Sequence, residues 1–145
     1  MLNLKTVAGL VLICFSVLFF PPFVNAVGSE SSPSQVVEQW IAVYPKNLDT
    51  AATLTTTKMR NDLTPERWIH QFKAILANLG LEYLDGQVLS EDITGNRAVV
   101  TLKAYLSTTI GDQVQNEQYT LRRINGQWLI DDLTVVAERF LGEVM

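Results

Sequence analysis

Hydrophobic and polar residues alternate most regularly between Arg97 and Val135, where Val100, Leu102, Ala104 and Leu106, and later Tyr119 and Leu121, recur at every second position. A period of two places such residues on one face of a strand, so this stretch predicts a small antiparallel sheet with one apolar face. Asn125-Gly126 lies between two such runs and suits a type I′ turn, in which both central residues need positive φ. That turn sets Arg123 opposite Trp128, Leu121 opposite Ile130 and Tyr119 opposite Asp132. A second turn at Gly111-Asp112 then brings Leu102 opposite Leu121 and Ala104 opposite Tyr119. Trp128 and Ile130 join the same apolar face, and the other face is mostly polar.

Upstream the period changes to three and four. Val36, Val37, Trp40, Ile41 and Tyr44 form one stripe of a helix that starts at Pro33, with Ser31 or Ser32 as its cap, and ends before Pro45. Leu48, Ala51, Ala52 and Leu54 suit a two-turn helix capped by Asn47 or Asp49, broken by Thr55-Thr56-Thr57. Thr64-Pro65-Glu66 opens a longer helix in which Ile69, Phe72, Leu76 and Leu79, with Trp68 and Ile75 beside them, form a wide apolar face, and Gly80 closes it. From Leu81 to Ile93 the alternation switches parity, which predicts a strand bulged near Gly86. Ala137 to Val144 reads as a short final helix with Phe140, Leu141 and Val144 inward. Helices followed by antiparallel strands on short connections give an α+β domain, with N-terminal helices packed on a curved sheet of about four strands.

The first 26 residues change the picture of where this domain works. Lys5, the apolar run Val7 to Phe20 and the small-residue site Val24-Asn25-Ala26 have the three parts of a secretory signal. Cleavage after Ala26 is expected, leaving a linker over 27–32 and one domain over 33–145, secreted or periplasmic. A retained membrane anchor is the alternative, because Pro21-Pro22-Phe23-Val24 prolongs the run towards the roughly 17 to 25 residues a spanning helix needs. The single cysteine, Cys14, lies inside this segment, preceded by Ile13 rather than the small residue that lipoprotein processing prefers. The folded domain therefore has neither a disulfide nor a thiol nucleophile.

Of the 145 residues, 11 are basic and 15 acidic; beyond residue 26 the net charge is −5. Nucleic acid needs clustered Lys and Arg, so it is not an expected partner. His70, the one histidine, shares a helix side with Glu66, Arg67 and Lys73 and reads as solvated rather than as a base. No cofactor or metal is expected: the chain has no Gly-rich phosphate loop, no Gly-x-Ser-x-Gly elbow and no calcium-type spacing of acids. The remaining chemical hint is on the sheet. The register puts Tyr119 and Asp132 on one face within hydrogen-bonding reach, with Glu117 pointing to solvent near the rim. Tyr119, Asp132 and Glu117 are the candidate ligand-binding residues, since a phenol and two acids in a partly desolvated mouth tune one another's protonation.

Val36-Val37-Glu38-Gln39-Trp40, the middle helix, and three long strands ending in Tyr119-Thr-Leu-Arg-Arg-Ile-Asn-Gly-Gln-Trp128-Leu-Ile-Asp131 resemble the nuclear transport factor 2-like superfamily, in particular its small exported lumazine-binding-like members. The resemblance spans about Ser34 to Val135. It implies a cone in which helices close one end of a curved sheet and leave a cavity at the other. Superfamily members include isomerases, dehydratases, pocket-bearing binding proteins and transport factors without catalysis, so fold analogy selects no activity. The leading expectation is an exported non-enzymatic module holding a small apolar ligand or a protein partner. The alternatives are an isomerase- or dehydratase-like enzyme using a cavity carboxylate as general base, and a structural module that forms a homodimer through its sheet.

Overall fold

The computed structural model describes residues 30–142; the expected signal segment and its cleavage site lie outside the described residues. The chain is an α+β domain with three helices, α1 (Pro33–Val43), α2 (Leu48–Thr53) and α3 (Pro65–Leu79), packed against an open four-stranded antiparallel sheet. Its strands follow chain order: β1 (Glu82–Thr94), β2 (Arg97–Thr108), β3 (Gly111–Ile124) and β4 (Gln127–Phe140).

Each helix starts where a side chain satisfies its free N–H groups. The Ser32 hydroxyl accepts from Gln35 N while the Gln35 side chain accepts from Ser32 N, a complete capping box. Asn47 caps α2 through Thr50 N, and Thr64 caps α3 through Arg67 N. Gly80 ends α3 at φ 56°, a left-handed position that favours glycine. Helix α1 lies across the inner face of the sheet, against β1, β2 and β4, and α2 carries α3 alongside it. Gly86 makes this approach close: a Cβ there would sit 2.3 Å from Ile41 Cδ1. The core between the layers joins Val36, Val37 and Trp40 to Val100, Leu102, Leu121 and Ile130.

The hairpins keep the expected apolar face as far as Ile130 but not every expected pairing. Asn125 (φ 50°) and Gly126 (φ 77°) form the expected turn, with Arg123 opposite Trp128 and Leu121 opposite Ile130. The β2–β3 turn, however, is Thr109-Ile110. The Thr108 hydroxyl closes it, accepting from Ile110 N and donating to Gly111 O, while Thr109 N donates to Leu79 O and ties the turn to α3. Leu121 therefore faces Ala98, and Tyr119 faces Val100. This slip is four residues, an even number, so no side chain changes face.

Bulges account for the other differences. In β1 extra residues fall at Leu84 and Leu89 rather than at Gly86, so Tyr83, then Gly86 and Val88, face inward. In β4 the extra residues are Asp131 and Val136. Residues 137–140 continue β4 along the start of β3, with Leu141 N donating to Asp112 O, in place of the expected final helix. Val144 lies outside the described residues.

Candidate functional site

The extra residue in β4 rearranges the expected site. Beyond Ile130 the pairing becomes Thr120 with Asp132 and Tyr119 with Leu133. Asp132 consequently lies on the helix-free face, exposed, its carboxylate accepting, among the described residues, only from Leu133 N. The expected Tyr119–Asp132 contact is thus absent, because a one-residue insertion reverses the side-chain alternation after it. Asp131 turns inward instead and is buried, accepting from the Thr56 hydroxyl at 2.8 Å, with Lys58 Nζ at 3.5 Å. The backbone explains this placement: Ile130 N donates to Leu54 O and Thr56 N donates to Ile130 O, so the α2–α3 connection clamps the edge of β4 there.

Glu117 also departs from expectation. It is 1% exposed rather than at the rim. Its carboxylate accepts from Tyr119 Oη at 2.5 Å and from Tyr83 Oη at 2.9 Å, and the two hydroxyls stand 3.5 Å apart. The alternation of β3 places Glu117 and Tyr119 on one face, and the Leu84 bulge turns Tyr83 of β1 to meet them across β2. Among the described residues no Lys, Arg or His forms an ion pair with Glu117. Burial accordingly raises its pKa, against the lowering effect of the two phenol hydrogen bonds. Burial first, then the neighbouring Glu117 charge, pushes Tyr44 up to about 12 and raises Tyr83 further.

Around this cluster the interior is filled with aromatic rings. Tyr44 stacks on Trp40 with centroids 4.3 Å apart, and lies 6.4 Å from Trp68 and 6.5 Å from Tyr83; Phe72 extends the set from Trp68. These residues pack as core, with Trp40 Nε1 left without an acceptor among the described residues.

Open space lies outside that wall. A groove of about 480 Å³ runs between the start of α2, α3 and the start of β1. Leu48, Ile69, Leu76 and Leu81 supply its apolar surface, and Lys46 Nζ bonds Glu82 Oε1 at 2.6 Å across it. A second cleft of about 860 Å³ lies beside the Asn125-Gly126 turn, with Gln39, Thr53 and Gln127 among its lining residues. Neither is lined by Tyr119, Asp132 or Glu117. Among the described residues no cluster of three or more His, Cys, Asp or Glu side chains is placed to hold a metal, and no helix is long and apolar enough to cross a membrane.

No family model and no curated protein matches the chain. Solved structures do. A SEC-C motif containing protein from Rhodopseudomonas palustris superposes with a TM-score of 0.55 at 18% identity, over 73% of this chain and 80% of that one. Bd1075 of Bdellovibrio bacteriovorus gives 0.55 at 8% identity, over 70% of this chain and 38% of that one. A putative calcium/calmodulin dependent protein kinase II association domain from Xanthomonas campestris gives 0.49 at 15%, over 77% and 86%. The first two likenesses concern the fold alone, and neither points to a nuclear transport factor 2-like fold; that resemblance is corrected. The four-stranded sheet with helices of this chain is itself a generic α+β arrangement. The motif that carried the resemblance, a tyrosine strand, an Asn-Gly turn and a tryptophan strand, is what a tight hairpin with a buried face requires in any fold.

Proposed function

We propose that this domain is an exported, non-enzymatic binding module that takes a small apolar molecule in the groove between α2, α3 and β1. The groove carries the reading. Its volume falls within the roughly 300–1,000 Å³ of small-molecule sites, and Leu48, Ile69, Leu76 and Leu81 give it an apolar surface beside its polar lining. Two lysines and two acids line it, Lys46 and Lys73 with Asp49 and Glu82, so it favours an uncharged ligand. Export rests on the Lys5, Val7 to Phe20 and Ala26 arrangement.

The general-base alternative draws on Glu117, because a buried acid beside two phenols is the kind of group that catalysis uses. Against it, both carboxylate oxygens are taken by tyrosine hydroxyls, and Glu117 lines neither of the two clefts described above. A base must lie within reach of its substrate's proton.

Equilibrium binding of a neutral polarity-sensitive dye such as Nile red to residues 27–145 tests the site. Saturable binding should weaken at least tenfold in Ala77→Trp, which fills the groove from an exposed lining position. Unchanged affinity in a variant with native thermal unfolding would remove the groove as the site.

A further inference from the structure

The cleft beside the Asn125-Gly126 turn has a different chemistry from the groove. Its apolar lining is Val36 of α1, Leu54 at the end of α2 and Trp128 of β4, all buried, with half-buried Leu129. Three exposed carboxamides line it as well: Gln39 on α1, Asn125 in the turn and Gln127 at the start of β4. Among the described residues these carboxamides bond to no protein group, while the Thr53 hydroxyl beside them spends only its proton, on Thr50 O at 2.6 Å. The one ionisable lining residue, Glu30, is held by Arg123, which also lies over the Trp128 ring. We propose that this cleft binds a short neutral oligosaccharide. It is a second site, at the other end of α2 from the groove, and it does not rest on the groove reading.

The class of ligand follows from what the lining can pair with. A carboxamide offers two N–H donors and an acceptor oxygen, and a hydroxyl both donates and accepts, so the adjacent hydroxyls of a sugar ring answer it on both counts. A purely apolar guest would strip water from Gln39, Asn125 and Gln127 and return no hydrogen bond, leaving polar groups unpaired. An anion would find no free cation, because no lysine or arginine lines the cleft and neighbouring Arg123 is already paired with Glu30; a cation would find only that same engaged carboxylate. Sugar rings also carry C–H faces, which suit Val36, Leu54 and the Trp128 edge, and the volume of about 860 Å³ lies within the range of small-molecule sites and leaves room for more than one ring. The backbone beneath each carboxamide is fixed. Gln39 stands on a helix, Asn125 is set by a turn with φ 50° and 77° at its two centres, and Gln127 pairs with Ile124 in the sheet. Such fixing lowers the ordering cost of binding.

The test is a ¹H–¹⁵N NMR titration of residues 27–145 with cellotriose, maltotriose and triacetylchitotriose, neutral trisaccharides that differ in linkage and in N-acetylation. At millimolar concentrations at least one should move the side-chain amide resonances of Gln39, Asn125 and Gln127, and the Trp128 indole N–H, along one saturable curve. That curve should be the same in low and high salt, since a neutral ligand has no charge to screen. Gln39→Leu and Gln127→Leu keep most of the side-chain bulk and remove its donors and acceptor; each should weaken the sugar about fivefold, the loss of one hydrogen bond. Absence of a saturable shift with all three sugars overturns the assignment. So do saturable shifts that leave these four residues unmoved, or undiminished affinity in both variants when their thermal unfolding is native. Each of those results leaves the groove reading standing.

Discussion

Asp131 and Asp132 are neighbours in sequence with opposite fates. One extra residue in β4 buries the first under the Thr56 hydroxyl and leaves the second in water on the far face. Asp131→Ala should therefore cost about 1–3 kcal/mol, since it strands a buried donor, whereas Asp132→Ala should stay within about 0.5 kcal/mol. Urea unfolding of the two variants would separate them. Glu117 makes a sharper case, because its folded pKa is raised above the 4.5 of an ordinary glutamate. Its contribution to stability is fully present below pH 4.5 and is lost as pH rises through the folded pKa. Unfolding free energy measured across that window should decline in the native chain and decline less in Glu117→Gln. Glu117→Ala, which also opens a cavity and strands two phenols, should be destabilised by about 2–4 kcal/mol. Individual residues are where sequence reasoning was least secure. It selected Glu117 and Tyr119, but Tyr83 and Asp131 were hidden, because a bulge leaves no mark beyond a break in alternation and that break does not say which residue is extra.

The helix ends, by contrast, were legible almost to the residue, although Ile75 and Leu79 of the expected apolar face of α3 are left half exposed. Ser32-Pro33, Asn47, Thr64-Pro65 and Gly80 each state a local backbone requirement that tertiary packing did not need to override. Removing one such signal, as in Thr64→Ala, should destabilise the protein by about 1 kcal/mol. The Asn125-Gly126 hairpin was equally plain, and Arg123 stacks over the Trp128 ring at 5.9 Å across it. Trp128→Ala should cost about 3–5 kcal/mol because it empties a large buried volume, and a denaturant series that ranks it below exposed His70→Ala would contradict the assigned faces. The turn between β2 and β3 misled because Gly111-Asp112 has turn chemistry, while the actual turn is held by Thr108 and by the C-terminal end of α3, a partner distant in sequence. The last segment read as a helix because its apolar spacing suits either state, and long-range pairing with β3 decided for strand.

In the whole molecule, the apolar faces of sheet and helices define the α+β class, and that much the hydrophobic pattern carried. The proposed binding groove was not legible, because it draws on α2, α3 and the start of β1 together, and no stretch of sequence announces their meeting. Export is tested by N-terminal sequencing of the protein recovered outside the cytoplasm, which should begin at Val27; an intact Met1 in a membrane fraction would instead favour the retained anchor. The central claim is that the interior is sealed by aromatic side chains around Glu117, so that this acid serves the structure and the ligand sits outside the wall. The most direct measurement is a ¹³C NMR titration of the Glu117 carboxyl in the ligand-free chain 27–145. The account predicts a midpoint above the ordinary glutamate range, as burial requires. A midpoint at or below that range would mean that water reaches the carboxylate, and would contradict a sealed interior.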